Sequence, residues 1–491
     1  MGNQQEEASS TESSPDDLKS SSAESKRVYH ETPEERTKRG KAARATVPRS
    51  TLAAWDPPDD RSDPLDLLEG QALGRVPELV PIRYGRMLTS PFAFYRGAAV
   101  IMASDLALMP NTGLQVQLCG DAHLSNFGGF ASPERKLILD LNDFDETLPG
   151  PWEWDVKRLA ASLEIAGRER NFDSKTRRSL VSATVGEYQR AMREFSQLRN
   201  LDMWYLHLNP EAIQARWGIS AKPKAMKSLE TDFAKGYHKD NLRASEKLTR
   251  RVNGKLQIAP NPPMIVPVED LYTRGGQEEI EEILRRLIRS YRSSLQPDLR
   301  HLVKSFRYVH IARKVVGVGS VGTLTWILLM LGRDDQDPLF LQVKEAKTSV
   351  LEPYLGKSAY SHQGRRVVEG QRLMQAASDI FLGWERVPSG IDGKSHDFYL
   401  RQLWDWKVSA DVEVMTAGEM SIYGKMCGWT LARAHARSGD RIAIAAYLGK
   451  GKVYNQALVE FATTYADQNE RDYQALVAAV NDGRIKAETG V

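Results

Sequence analysis

A glycine-rich turn between two apolar segments constrains the fold of this chain most strongly. Its glycines and serine are Gly317, Gly319, Ser320 and Gly322, in the spacing G-x-G-x-x-G. Glycines in this spacing let the backbone approach a phosphate and direct N–H groups at it. A dinucleotide-binding turn has the same spacing but needs a helix directly after the third glycine. The segment that follows, TLTWILLML, is rich in residues that favour strands. The sequence therefore predicts strand, turn and strand, and the Rossmann dinucleotide-binding fold is the less favoured alternative.

A single lysine, Lys344, lies in the next apolar strand, FLQVKEA. The nucleotide loop of protein kinases has this order of strand, glycine turn, strand and lysine-bearing strand. In that role Lys344 would hold the α- and β-phosphates and pair with a glutamate of the following helix. Glu369 is the favoured partner and Glu352 the alternative. In the Rossmann alternative, Glu345 would instead hold a ribose.

A second group of polar residues lies far upstream, in the segment GDAHLSN. Phosphoryl transfer needs a carboxylate that orients or deprotonates the acceptor hydroxyl, and oxygen ligands that hold Mg²⁺ against the phosphates. Asp121 and Asn126, five residues apart on a short loop, can supply one of each. We therefore predict that Asp121 acts on the acceptor and that Asn126 binds metal.

The segment LILDLNDFDE completes this acidic group. Its apolar start predicts a buried strand from Lys136 to Leu141. Asp143 and Asp145 stand two residues apart and would face the same side of an extended chain. Since Mg²⁺ prefers carboxylate and amide oxygens, Asp143 is the predicted metal ligand and Asp145 the second candidate.

These segments resemble two motifs of the aminoglycoside phosphotransferases and related small-molecule kinases. GDAHLSN is similar to their catalytic loop, and NDFDE to their metal-binding segment. The resemblance implies that Asp121 is the catalytic aspartate, that Asn126 and Asp143 bind metal, and that His123 belongs to the catalytic loop. Cys119 departs from the pattern, because those enzymes usually have histidine there.

Two further segments extend the resemblance. PWEWDVKRLA is similar to a helix whose aspartate, here Asp155, braces the catalytic loop. FYLRQLWDW resembles the strand that enters the hinge between kinase lobes, so backbone groups of Gln402, Leu403 and Trp404 would pair with an adenine edge. LARAHA, which contains His435, resembles the helix that normally runs into the catalytic loop.

The order of these segments is reversed relative to ordinary kinases. Asp121 and Asp143 precede Gly317, whereas the glycine loop usually comes first. If both groups form one site, the fold is a circularly permuted, two-lobed kinase-like α+β fold. It would have a mainly helical large lobe and a small antiparallel-sheet lobe, with the helix at His435 beside the loop at Asp121.

Other interpretations of the same residues remain open. Asp121-Ala122-His123 is a D-x-H pattern, as in metallophosphoesterases, but the chain has nine histidines and lacks the downstream pairings that those enzymes need. The acidic segments can also be solvated turns. Arg86 and Arg96 could bind an anionic acceptor, although a surface or structural role is favoured for both.

Length and composition bound the class of protein. A chain of 491 residues predicts two or three packed units. The net charge of +3 gives no reason to expect nucleic acid as a partner. Two cysteines, no signal pattern and no apolar run of membrane-spanning length predict a soluble, cytoplasmic protein without a membrane partner.

The predicted organisation has four parts. Residues 1–45, rich in Ser, Glu, Gln and Lys, are predicted to be a disordered tail. The helical lobe with the catalytic loop covers 46–300, the β-rich nucleotide-binding lobe 301–408, and a helical segment that completes the large lobe 409–491.

From about Arg36 to Val480 the chain resembles an uncharacterised bacterial family, the domain of unknown function 2252, which implies a bacterial kinase-like protein. The predicted function is an ATP- and Mg²⁺-dependent phosphotransferase. Its acceptor is unknown, and the resemblance to small-molecule kinases favours a small molecule. The rival prediction is a nucleotide-binding regulator without catalysis. The sequence predicts neither the acceptor nor the oligomeric state.

Overall fold

The computed structural model describes residues 30–219, 221, 223–272, 274–390, 393–403 and 405–490. It is a mixed α+β structure in which 53% of residues are helical, with several antiparallel sheets. No helix within these ranges is both long and apolar enough to cross a membrane.

The first part of the chain is mainly helical and carries two small sheets. Its helices are α1 (Pro33–Thr46), α2 (Pro64–Ala72), α3 (Val80–Met87), α4 (Pro91–Gly97), α5 (Ala99–Ala107), α6 (Glu153–Glu169), α7 (Ser174–Phe195), α8 (Asn200–Tyr205), α9 (Pro210–Trp217), α10 (Pro223–Tyr237) and α11 (Asn241–Leu248). Its strands are β1 (Gln115–Leu118), β2 (Phe127–Ala131), β3 (Leu137–Leu141) and β4 (Leu148–Pro151). Strand β1 pairs with β4, and β2 pairs with β3, both antiparallel.

The middle of the chain contains the largest sheet, a separate hairpin and a short strand that pairs with β2. Its strands are β5 (Thr249–Val252), β6 (Lys255–Ile258), β7 (Ile265–Pro267), β8 (Arg307–Lys314), β9 (Thr325–Leu331), β10 (Pro338–Glu345), β11 (Gly383–Val387), β12 (His396–Gln402) and β13 (Val408–Ser409). Its helices are α12 (Val268–Leu271), α13 (Arg274–Tyr291), α14 (Pro297–Lys304), α15 (Glu352–Leu355) and α16 (Gln363–Met374). Six strands join in the order β11-β12-β10-β9-β8-β7. The chain ends with α17 (Ala417–Ser438), α18 (Arg441–Leu448) and α19 (Val453–Asn481).

The strand predicted after the glycine turn is confirmed, and a tight hairpin precedes it in the chain. The Asn253-Gly254 turn joins β5 to β6 with both residues at positive φ, which matches the twist of a two-residue hairpin. The strand predicted after Gly322 is β9, and it runs antiparallel to β8. Since β9 follows the turn where a Rossmann fold needs a helix, the dinucleotide-binding alternative is wrong.

Two predicted boundaries differ from the structure. Residues 33–45 were predicted to be disordered, but they form most of α1, which a capping box between Thr32 and Glu35 begins; residues 1–29 of the predicted tail lie outside the described residues. The large sheet starts before residue 301, because β7 pairs with β8 and the apolar side of α13 packs on the sheet through Leu284, Leu287 and Tyr291.

Two glycines bring the last part of the chain against the first. A Cβ atom at Gly424 would lie 2.3 Å from Thr184 Oγ1, and one at Gly428 would lie 2.4 Å from the Thr184 carbonyl oxygen. Only glycine allows α17 and α7 to approach this closely. Helix α17 is consequently buried along most of its length, beside the elements that carry the polar loop at Asp121.

Candidate active site

Both groups of polar residues predicted from the sequence line one cavity of about 940 Å³. From the first part of the chain they are Asp121, His123, Asn126, Asp143 and Asp145, and from the large sheet they are Gly317, Gly319, Ser320, Lys344, Gln402 and Leu403. Gly322 and Glu369 are outside this set. The fold therefore places side chains from distant parts of the sequence around a common space.

The loop that carries Asp121 is fixed by a buried aspartate of α6. Asp155 accepts hydrogen bonds from the backbone N–H groups of Cys119, at 2.8 Å, and Gly120, at 3.0 Å. Its second contact is with His435 Nε2 of α17, at 3.2 Å. The predicted brace and the predicted position of His435 beside the loop are thus both present.

Asp121 is held by an arginine that the sequence did not single out. Arg158 of α6 contacts Asp121 Oδ1 through Nε at 2.7 Å and Nη2 at 2.6 Å. Burial raises the pKa of Asp121, and the positive charge of Arg158 opposes that rise. Both contacts use Oδ1, and neither uses Oδ2.

His123 Nε2 lies 3.6 Å from Asp121 Oδ2. His123 Nδ1 accepts the backbone N–H of Ser125 at 3.2 Å, which places the ring proton on Nε2. Burial, with the positive charges of Arg158 and Arg96, lowers the pKa of His123 well below its ordinary value. His123 is therefore a neutral donor beside Asp121.

Asn126 and the acidic segment are joined by backbone contacts. Asn126 Nδ2 donates to the Asp121 carbonyl oxygen at 2.7 Å, and the Asn142 N–H donates to the Asn126 carbonyl oxygen at 3.0 Å. Strand β3 is buried throughout and leads directly into Asp143. The amide oxygen of Asn126 has no hydrogen-bond donor among the described residues, and it remains for a cation.

Asp145 connects the acidic segment to the large sheet. It forms an ion pair with Lys344, accepts the Tyr399 hydroxyl at 2.7 Å and accepts Ser320 Oγ at 3.3 Å. Burial alone would raise the pKa of Asp145, but Lys344 and Tyr399 outweigh it and lower the pKa. Ser320 of the glycine turn and Lys344 thus meet the same carboxylate.

Asp143 has a different environment from Asp145. Its Oδ1 accepts the backbone N–H of Asp145 at 3.2 Å. Burial and the negative charge of Asp145 raise the pKa of Asp143, whereas Lys344 and Arg401 oppose that rise. A cation placed beside Asp143 would offset both of the effects that raise its pKa.

The predicted partner of Lys344 differs from the structure. Glu369 forms an ion pair with Arg365 at 3.8 Å, and Glu352 accepts Gln363 Nε2 at 3.5 Å, whereas Lys344 pairs with Asp145. Glu369 does not pair with Lys344 because the orientation of α16 places Arg366, and not Glu369, against the acidic segment.

Arg366 takes the place that we expected an acid to occupy. It donates to the carbonyl oxygens of Thr147, Asp145 and Lys347, each at 2.8 Å. Helix α16 therefore holds the backbone around the acidic segment and leaves Lys344 to its carboxylate.

Two arginines from the part of the chain before β1 hold the glycine turn. Gly317 and Gly322 have positive φ values of 63° and 89°. Arg86 Nη1 donates to the Gly317 carbonyl oxygen at 2.5 Å, and Arg75 Nη1 donates to the Val321 carbonyl oxygen at 2.5 Å. Arg86 thus has the structural role favoured above, whereas Arg96 lines the cavity.

The predicted hinge has its N–H groups already bonded. The Gln402 N–H donates to the Asp379 carboxylate, and the Leu403 N–H donates to the Phe340 carbonyl oxygen at 2.9 Å. Trp404 lies outside the described residues. The predicted pairing of an adenine edge with the N–H groups of Gln402 and Leu403 therefore does not fit this conformation.

The oxygen donors fit a magnesium ion better than a transition metal. Among the described residues, no three His, Cys, Asp or Glu side chains converge as a complete metal site. Mg²⁺ is commonly bound through one or two carboxylates together with substrate phosphates, so a full protein cage is not needed. Asp143 and the Asn126 amide oxygen would hold it here, with Asp145 as a third donor when it leaves Lys344.

Glu146 gives the cavity a measurable pH dependence. Burial raises the pKa of Glu146 from 4.5 to about 7, so the folded protein keeps this proton where the unfolded chain has lost it. The stability that this group contributes is complete below about pH 4.5 and decreases as the pH rises to about 7. Glutamine resembles the protonated form of Glu146. We therefore expect the free energy of unfolding of Glu146→Gln, relative to that of the wild type, to be higher at pH 8 than at pH 5. Urea unfolding at both pH values measures this, and an equal difference at both would contradict the assigned pKa.

The chain belongs to a family of uncharacterized proteins conserved in bacteria, DUF2252, whose model matches residues 75–479. This match covers most of the chain, including both groups of polar residues. No curated protein and no solved structure matches it.

Proposed function

We propose that this protein is an ATP- and Mg²⁺-dependent phosphotransferase with a kinase-like fold, circularly permuted relative to ordinary kinases. The observation that carries the proposal is the ion pair between Lys344 and Asp145, residues 199 positions apart, in the cavity that Asp121 also lines. A lysine on the second strand after a glycine turn, beside an acidic segment, is the arrangement that kinases use for phosphoryl transfer.

The contacts of α17 support the permutation. His435 reaches Asp155, and the Tyr423 hydroxyl donates to the carbonyl oxygens of Leu124, at 2.7 Å, and Phe127, at 3.0 Å. A helix from the end of the chain therefore fixes the loop of Asp121, as the preceding helix would in the usual order.

The side chains have separate roles in this proposal. Asp121 Oδ2 accepts or orients the proton of the acceptor hydroxyl, while Arg158 holds Oδ1 and fixes the direction of the carboxylate. Lys344 and the N–H groups of the glycine turn bind the phosphates. Bound Mg²⁺ would neutralise developing charge on the transferred phosphoryl group, and Asp143 and Asn126 would position it.

A nucleotide-binding regulator without catalysis is the second candidate. One observation favours it: Lys344 and Asp145 neutralise each other, and the expected pair with Glu369 is not formed. A site that binds nucleotide without turnover could keep this arrangement.

Calorimetry with ATP and Mg²⁺, with NADH as a control ligand, tests the proposal. We expect ATP to bind and NADH not to bind. Release of ADP should then increase when a pooled extract of bacterial small molecules is added. Binding without any turnover would favour the regulator, and absence of ATP binding would contradict both candidates.

Asp143→Asn should remove the effect of Mg²⁺ on nucleotide binding. In the wild type we expect Mg²⁺ to strengthen ADP binding, because Asp143 supplies a charged oxygen to the ion. Loss of that charge should reduce the strengthening by about tenfold. Calorimetry with ADP, with and without Mg²⁺, measures it. Asp145→Asn is the comparison, since it also releases Lys344 and should alter ADP binding without Mg²⁺. An unchanged Mg²⁺ effect in Asp143→Asn would exclude Asp143 as a ligand.

A further inference from the structure

The part of the cavity beside β12 has polar walls where an aromatic base would need apolar ones. Gln342 pairs with Arg401 across the sheet, two residues along the same face from Lys344 and Tyr399. Arg401 donates to Gln342 Oε1 at 3.1 Å and to the Asn142 carbonyl oxygen at 3.0 Å. Pockets for planar bases are lined mainly by apolar and aromatic groups, so this end suits a different ligand group.

Two lysines reach the same end of the cavity from different elements. Lys314 ends β8, just before the glycine turn, and Lys407 follows the hinge segment, just before β13. Both line the cavity together with Arg401. Lys407 forms no ion pair within the part of the chain that the structure describes.

The charges of these residues act on one another. Lys407 is exposed as a residue, but the protein around the cavity partly desolvates its ammonium group. This desolvation lowers the pKa of Lys407 to about 8, and Arg401, Lys314 and Lys239 lower it further. Asp143 opposes this effect at Lys407, whereas Arg401 also lies near the acids Asp145 and Asp379. The repulsion is therefore strongest at Lys407, where an anion would relieve it.

We propose that Lys314, Arg401 and Lys407 form a second anion site, which binds a phosphate group separate from the one held by Lys344 and the glycine turn. Arginine and lysine together are the usual ligands of phosphate oxygens. The inference rests on the proposed function in one respect, which is the assignment of Lys344 and the glycine turn as the first phosphate site. The second phosphate can be carried on the ribose of the nucleotide or on the acceptor.

Titration of the full chain with inorganic phosphate tests the site without any need for turnover. The Lys344→Gln variant is used to remove the first site. We expect phosphate to bind this variant, and binding to weaken about tenfold or more when Lys314→Gln or Lys407→Gln is added. Lys450→Gln, an exposed lysine on the loop after α18, is the matched control and should change nothing. Phosphate binding that is absent, or insensitive to both lysine changes, overturns the proposal.

Comparison of ADP with adenosine 3′-phosphate 5′-diphosphate on the wild type distinguishes the two sources. Tighter binding of the second nucleotide by about tenfold, lost in Lys407→Gln, assigns the phosphate to the ribose. Equal affinities assign it to the acceptor. If phosphate binds through Lys407 but ATP is never turned over, the phosphotransferase proposal fails while the second anion site stands.

Discussion

Asp121→Asn is expected to lower phosphotransfer by about 10²–10⁴-fold while ATP binding is retained. Asparagine keeps the shape of the side chain and can still accept from Arg158, but it cannot take a proton from an acceptor hydroxyl. The loop should stay in place, because Asp155 and α17 hold its backbone independently of the Asp121 side chain. ADP release and ATP calorimetry on the same preparation separate the two effects.

Asp482→Asn is the matched control for this experiment. Asp482 is exposed at the end of α19, so the same chemical change is made away from the cavity. Turnover should be unchanged in this variant. Full turnover in Asp121→Asn would show that another group acts as the base.

Arg433→Met is expected to destabilise the protein by about 3–5 kcal/mol. Arg433 of α17 and Asp140 of β3 are each 1% exposed and form an ion pair. Asp140 also accepts the backbone N–H groups of Leu141, at 2.9 Å, and Ala376, at 2.8 Å. Removal of the arginine leaves the buried carboxylate of Asp140 without its cation. The affected contact lies between α17 and β3, the strand that leads to Asp143.

Urea unfolding of the full chain measures this loss. Arg199→Met is the control, because Arg199 forms an exposed ion pair with Asp202 and should change the unfolding midpoint little. A loss below about 1 kcal/mol for Arg433→Met would mean that the Asp140 charge is accommodated without its partner.

The local parts of the site could be predicted because short patterns determine them. The residues after Gly322 favour a strand whatever surrounds them, and this made β9 and the lysine on β10 predictable. The bracing role of Asp155 was predictable only from the resemblance of its segment to a helix of the small-molecule kinases. The hairpin at Asn253-Gly254 follows from the positive φ values that these residues tolerate.

The other parts depend on how elements are oriented in space. Either Glu369 or Arg366 could face the acidic segment, because the helical pattern of α16 is compatible with both. The rotation of α16 about its axis decides which of them does. Arg158 lies 37 positions from Asp121 in the sequence, and nothing in its neighbourhood marks it as a ligand of that carboxylate. Tyr399 and Arg401 carried a usable signal: in β12 they alternate with Phe398 and Leu400, so they face the opposite side of the sheet from these two residues.

The bonded hinge shows a similar limit. Asp379 follows α16 and reaches the backbone of Gln402, and only the packing of the loop after α16 against β12 brings them together. The strand that enters the hinge was predictable, but the partner of its N–H group was not.

Labelling with an acyl phosphate of ATP tests the central claim most directly, since the acyl group transfers to a lysine beside the bound phosphates. After proteolysis, mass spectrometry identifies the labelled lysine. A phosphate site shared by the glycine turn, Lys344 and the acidic segment predicts a label on Lys344 that excess ATP with Mg²⁺ prevents and that Asp143→Asn weakens. A label confined to other lysines, or one on Lys344 that ATP does not prevent, would contradict that shared site.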